Sequence, residues 1–291
     1  MRSLGDLVAL SNNSGCSFIE SVYQIEEQET GHSVETIRKD MESRFDDMAL
    51  SVQEALSGNW SGKIIKPEAE KIGTYVASQN SEAFTSPYVL RASQIAIAVA
   101  TYNAAMGRIV AAPTAGSCGI LPGLLFSYRD HFASEKSELV DALTVAGAVG
   151  AVVASRATLA GAEGGCQAEC GAAAAMGAAA LVALREGAPD TIAHSVSLTF
   201  KSVLGLVCDP IGGLVESPCI KRNGLLVSVA ALAADMALAG IKSILPADEV
   251  IDAMGQVGRA MPETLRETAR GGLAVTPTAR RLASEVLHGR W

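Results

Sequence analysis

Aromatic residues are scarce, at 4% of 291 positions with two tryptophans. Few large rings are therefore available to fill a core or to stack on bases. Histidine is scarcer, with His32, His131, His194 and His288 and no HExxH zinc signature. Basic residues are in the minority, 23 against 31 acidic, giving a formal charge of -8. Nonspecific nucleic-acid binding needs concentrated positive charge, and this chain has neither a basic stripe nor an aromatic platform. The first residues lack a sustained apolar region with a basic flank, so no signal peptide is read. The longest uncharged apolar stretches, 142–155 and 171–184, are about fifteen residues each, short of the ~20 that span a bilayer. They read as buried helices, and a cytoplasmic protein with no membrane partner is expected. Six cysteines are too sparse for a disulfide framework.

Small residues are abundant instead. The 48 alanines and 28 glycines make up about a quarter of the chain, and hydrophobic residues reach 49%. Such a composition buries a large core through close helix approach and excludes a disordered or collagen-like chain. No alternating pattern persists long enough for a strand; the run 109–112 is too brief. The first fifty residues carry ten acidic and four basic side chains. Ile25, Val34, Ile37, Met41, Phe45, Met48 and Val52 recur at three and four, predicting two amphipathic helices broken near Gly31, with a start at Ser33. This N-terminal subregion, residues 1–60, wraps on the core or on a partner. Further helices are expected from about Pro87 to Gly107, Leu124 to His131, Ser137 to Leu159, and from the 161–171 turn to Leu184. Others are expected at 191–204, 225–240, 247–260, 262–270 and from about 278. The fold class is all-α, a multi-helix domain with three Gly/Pro-rich loops at 111–123, 161–171 and 204–224.

Those loops carry the chemistry. PTAGSCG (113–119) places Thr114, Gly116, Ser117 and several amides in one turn, which reads either as a nest for a carboxylate or phosphate or as a tight inter-helix turn. The Gly-Lys-Ser/Thr ending of a phosphate-loop ATPase is missing. Four of the six cysteines fall between 166 and 219. Cys166, Cys208 and Cys219 sit on Gly/Pro turns. They are thiolate ligands for a soft metal or an iron–sulfur cluster, or small buried hydrophobes, and their wide spacing does not decide between these. Cys166 and Cys170 share a face if that stretch is helical. Asp209, Glu216, Lys221, Arg222 and Asn223 crowd the loop of Cys208 and Cys219. Lys201, a lone cation in an apolar run, is a solvent-facing residue, a base or a counter-charge. His194 is a helix cap, a surface histidine or a proton-transfer group.

Longer segments narrow the choice. NAAMGRIVAAPTAGSCGILPG, GAEGGCQAECG, TFKSVLGLVCDPIGGLVESPCIKRN, AADMALAGIKSILPADEVIDAM and MPETLRETARGGLAVTPTAR resemble the α subunit of bacterial iron–sulfur-dependent L-serine dehydratase (L-serine ammonia-lyase) over residues 100–280. The N-terminal quarter matches mainly in helical character. The resemblance implies a single α-type catalytic domain over 1–291. It implies a [4Fe–4S] cluster on Cys166, Cys208 and Cys219, with one iron left open as a Lewis acid for the hydroxyl of L-serine. It implies deamination to pyruvate and ammonia without pyridoxal phosphate. Thr114, Gly116, Ser117 and Asn223 would then bind the substrate or orient the loops, with Lys201 and His194 as the basic candidates. Family members also contain a β part with a serine-histidine-threonine loop. That tripeptide is missing here, so a separate β subunit is implied.

Cys118 and Cys170 depart from the family pattern and are expected to be passive. Some single-chain relatives end in a cysteine that caps the cluster; this chain ends HGRW, so another ligand, water or substrate would fill that position. Three rivals remain open: a cluster-dependent lyase acting on threonine or cysteine, a non-catalytic iron–sulfur protein that binds an amino acid, and a zinc-binding structural protein.

Overall fold

Helix boundaries in this chain follow local capping chemistry, as a computed structural model of residues 1–78 and 83–287 makes visible. His288 lies outside the described residues. The N-terminal region forms α1 (Leu4–Ser14), α2 (Phe18–Thr30) and α3 (Val34–Ser57). Ser17 and Glu20 form a reciprocal capping box at the start of α2. Gly31 ends α2 in the left-handed region at φ 74°, where a residue without Cβ is favoured. Ser33 then accepts from the Thr36 amide to open α3. The break and the start expected at Gly31 and Ser33 are both present, and α1 is an additional element.

There follow α4 (Ala69–Ala77), α5 (Pro87–Ala104), α6 (Ile120–Phe132), α7 (Lys136–Arg156), the single turn α8 (Gly161–Gly164) and α9 (Ala172–Leu184). After them come α10 (Pro189–Val203), α11 (Cys219–Leu238), α12 (Ala247–Ala260) and α13 (Pro277–Leu287). The fold is all-α. Among the described residues, β pairing is confined to one isolated parallel bridge between Cys208 and Arg266.

The centre is α9, buried on every side from Ala172 to Val182 and packed by α6, α7, α10 and α11. A helix apolar all round belongs in a core. By length and composition α7 and the stretch Gln167–Leu184 could also cross a membrane, but 67% and 83% of those spans are buried inside the fold. The N-terminal helices join the same core through Leu4, Leu7, Phe18, Val22, Phe45, Met48 and Val52. Alanine and glycine set the helix spacing. A Cβ on Gly119 would lie 2.2 Å from the Ala96 carbonyl oxygen, and one on Gly123 would lie 2.6 Å from that of Ala92. Both obstacles are backbone atoms of α5, which cannot rotate away. Gly119→Ala is therefore expected to lose about 3 kcal/mol, read as a lower denaturant midpoint.

Two elements differ from the sequence expectation. The helix expected at 262–270 is instead a 3-10 turn (Glu263–Leu265) followed by left-handed residues Glu267 and Ala269. Its backbone is engaged elsewhere: the Cys208 amide donates to Leu265 O at 2.9 Å, and the Glu267 amide donates to Cys208 O at 2.7 Å. The helix expected from 225 begins at Cys219, straight after Pro218. Arg222 and Asn223 thus lie on its first turn rather than in a loop.

Candidate functional site

Three segments meet beside the N-terminal end of α9. The first is the 3-10 turn Ala115–Ser117, opened by Thr114, whose amide donates to Ser117 Oγ at 3.4 Å. The second leads from α8 through Gly165 and Cys166 into a π-helical turn, Gln167–Gly171. Such widened turns recur at functional sites because they re-aim side chains. Gly165 sits at φ 73°, and a Cβ there would lie 2.8 Å from Leu206 O. The close approach brings this turn against the third segment, which carries Cys208 and runs to Cys219 at the head of α11.

Buried side chains lock these segments together. Asn223 is fully buried. Its Oδ1 accepts from the Gly119 amide at 2.9 Å, and its Nδ2 donates to Gly116 O at 2.8 Å and Cys219 O at 2.9 Å. One amide thus ties the PTAGS turn to the thiol helix. Gln167 accepts from the Gly205 amide at 2.9 Å and donates to Met254 O at 3.1 Å, fixing the π turn. Arg222 pairs with Asp209 at 2.9 Å and donates to Val207 O at 2.8 Å. Asp209 also accepts from the Leu273 amide at 2.7 Å. Glu216 accepts from the amides of Lys63, Ile64 and Ile65 at 2.9, 2.7 and 2.9 Å. Of the polar residues expected around the thiols, Lys221 reaches out to Glu68 instead.

The four buried thiols of this region interact electrostatically. Hydrogen bonding with the Cys170 thiol, aided by the nearby Arg222 guanidinium, lowers the Cys166 pKa despite burial. The same bond raises Cys170 well above the ordinary thiol value, with burial and the charges of Cys166, Cys219 and Glu169 adding to it. Burial raises Cys208, and Cys166, Glu169, Cys219 and Glu267 push the same way. Burial, with Cys166 and Glu169 adding, takes Cys219 to about 12. Burial favours the neutral form of such thiols, and a bound soft cation would displace their protons. Cys118 is buried apart from this group, with burial alone pushing it to about 12.

Two carboxylates complete the set. Glu169, on the π turn, accepts from Thr114 Oγ1 at 2.8 Å and receives Cys208 Sγ at 3.8 Å. Glu169, Cys208 and Glu267 offer three ligand atoms within 4.8 Å of one another. Neither glutamate was singled out from the sequence. An isolated acid in GGCQAECG looks like a solvated face; burial by the 111–119 turn changes its meaning.

The structure brings Cys166, Cys208 and Cys219 to one place and sets Thr114, Gly116, Ser117 and Asn223 beside them. Lys201 and His194 lie elsewhere. The exposed Lys201 donates to Ser243 Oγ at 2.6 Å. His194 lines a cavity with Gly5, Asp190, Ser243 and Asp248, between α1, α10 and α12.

An all-α fold that gathers buried thiols and carboxylates on three interlocked turns defines a helical protein with a centre suited to metal. The chain belongs to the serine dehydratase alpha chain family, whose profile matches residues 13–274. It is 42% identical to the probable L-serine dehydratase, alpha chain, of Bacillus subtilis, over 99% of this chain and 96% of that one. It is 39% identical to the L-serine dehydratase, alpha chain, of Peptoniphilus asaccharolyticus, over 99% and 98%. L-serine dehydratase 1 of Escherichia coli shares 42% identity over 63% of this chain but only 41% of its own.

Proposed function

We propose that this chain is the cluster-holding α subunit of an L-serine dehydratase, which converts L-serine to pyruvate and ammonia. The observation that carries the reading is the gathering of the buried Cys166, Cys208 and Cys219, drawn from 54 residues of sequence, on turns locked together by Asn223 and Glu169. Three soft donors in a buried wall fit an iron–sulfur cluster better than a hard cation. Cys166, Cys208 and Cys219 would hold a [4Fe–4S] cluster, which supplies Lewis acidity when bound. Arg222 offsets part of the thiolate charge and steadies the segment of Cys208 through Val207 O.

The PTAGS turn supplies the substrate contacts. Ser117 is buried under Thr114, whose hydroxyl is fixed by Glu169, so the turn is organised before a ligand arrives. Its glycine amides and hydroxyls suit the carboxylate of a small amino acid. Loss of the Cα proton and of hydroxide leaves aminoacrylate, which tautomerises and hydrolyses to the products. Lys201 and His194 would need to act from outside the thiol wall, so the acceptor of that proton is sought first among the carboxylates beside it and in the partner. The aligned relatives are alpha chains, and a separate β subunit is proposed to complete the pocket.

The test is anaerobic purification of the chain with its β subunit, followed by iron and sulfide analysis and pyruvate release from L-serine, L-threonine and L-cysteine. About four irons per α chain and a preference for serine are expected, with activity lost in air. Full serine turnover by iron-free protein would end the reading, and a preference for threonine or cysteine would reassign the substrate.

A further inference from the structure

Glu169 stands between the two halves of the site. It lies on the π turn that follows Cys166 and carries Cys170, so its backbone is fixed by the same turn that presents a thiol. Its two oxygens have different tasks. Oε1 is held by Thr114 Oγ1 at 2.8 Å, and Oε2 faces Cys208 Sγ at 3.8 Å. Two glycines keep space for this carboxylate. A Cβ on Gly161 would lie 2.5 Å from Oε2, and one on Gly116 would lie 3.1 Å from Oε1. Glu267 also offers an oxygen to the group, but from an exposed left-handed turn. Glu169 is half-buried, where Glu267 is exposed, and it is anchored to the turn assigned to the substrate.

We propose that Glu169 is the resting ligand at the open iron of the centre. Oε2 occupies the coordination position that L-serine takes over, while Thr114 keeps Oε1 in place. The inference rests on the cluster reading above and deepens it. It is a ligand exchange: the carboxylate leaves as a substrate oxygen enters, and no electron moves. Because Thr114 belongs to the turn assigned to the substrate, a ligand settling there competes for the hydroxyl that holds Glu169. Occupation of the turn and release of the iron are thereby coupled through one side chain. A carboxylate guard would also keep oxidants and stray anions from the exposed iron between turnovers.

The experiment uses the complex with the β subunit, purified anaerobically and enriched in iron-57. Mössbauer spectra would be taken with and without L-serine for wild type, Glu169→Gln, Glu169→Asp and Glu267→Gln. In wild type the signal of one iron in four is expected to change on adding serine. In Glu169→Gln that iron is expected to differ already at rest. Conversion to the three-iron form by mild oxidant, followed by EPR, is expected to speed up about tenfold, as when a group that supports a bound metal is removed. Glu169→Asp should fall between the two, and Glu267→Gln should keep the wild-type resting signal. Should Glu169→Gln fail to fold, wild-type protein with carbon-13-labelled glutamate decides. After one-electron reduction, a carbon-13 coupling at rest that disappears with serine supports the ligand, and its absence at rest overturns it. An unchanged resting iron in Glu169→Gln, or a shift in Glu267→Gln alone, overturns the proposal while leaving the cluster intact. Iron-free wild-type protein would instead remove the cluster reading itself.

Discussion

Cys208→Ala is expected to strip the protein of iron and, with it, of serine turnover. The same holds for Cys166→Ala and Cys219→Ala. Losing an outer group that merely orients a metal ligand costs about 10–100-fold, so losing a direct thiolate should exceed that range. Cys208 makes the cleanest test because its short bonds are main-chain ones, to Leu265 O and from the Glu267 amide, and its thiol adds only a 3.8 Å contact to Glu169. Alanine keeps both, so far-UV dichroism should match wild type while iron, sulfide and pyruvate release vanish together. Cys118→Ala, whose thiol is buried without interaction with the other four, should retain the full iron content. Normal iron in Cys208→Ala would remove that residue from the ligand set.

The second large effect is expected at Asn223. Alanine there leaves the buried Gly119 amide without its partner and takes the amide donor from Gly116 O, which keeps only the weak Cys170 thiol. Buried groups without partners cost about 1–3 kcal/mol each, so a loss of about 3 kcal/mol should appear in denaturant unfolding. Function should suffer more than stability, because the freed PTAGS turn loses its register against the thiols. Displacements near 1 Å at a reacting centre cost about 100-fold in rate. Turnover efficiency for serine is expected to drop on that scale with iron content largely kept. If iron and activity fell in strict proportion, Asn223 would be a support for the metal loop alone.

These two residues illustrate what could be read from the chain. Asn223 stood in KRN beside a cysteine and was legible as a site residue, yet its role depends on Gly116 and Gly119, more than a hundred positions away. Local signals were read well where local chemistry decides. Gly31 and Ser33 mark a helix end and start by their own backbone and side-chain needs. The stretch 262–270 has acceptable helical composition, but its amides and carbonyls are claimed by Cys208, which no local pattern reveals. Composition and spacing also left the three cysteines undecided between ligands and core thiols. The resemblance to the dehydratase segments joined them, and the fold then supplied Glu169. Lys201 stands out in the sequence as a lone cation in an apolar run and His194 as one of four histidines, and a bond to Ser243 and a cavity beside α1 account for their places.

The Glu216 carboxylate, on the loop between Cys208 and Cys219, reaches across some 150 residues of sequence to accept from three successive amides at 63–65. Anything that holds that loop still also favours the seated form of the 62–65 segment, and by reciprocity the seated segment tightens whatever the loop has captured. Loading of the proposed cluster and seating of the 62–65 segment would then be two faces of one equilibrium. An apoprotein would loosen at a position far from any sulfur.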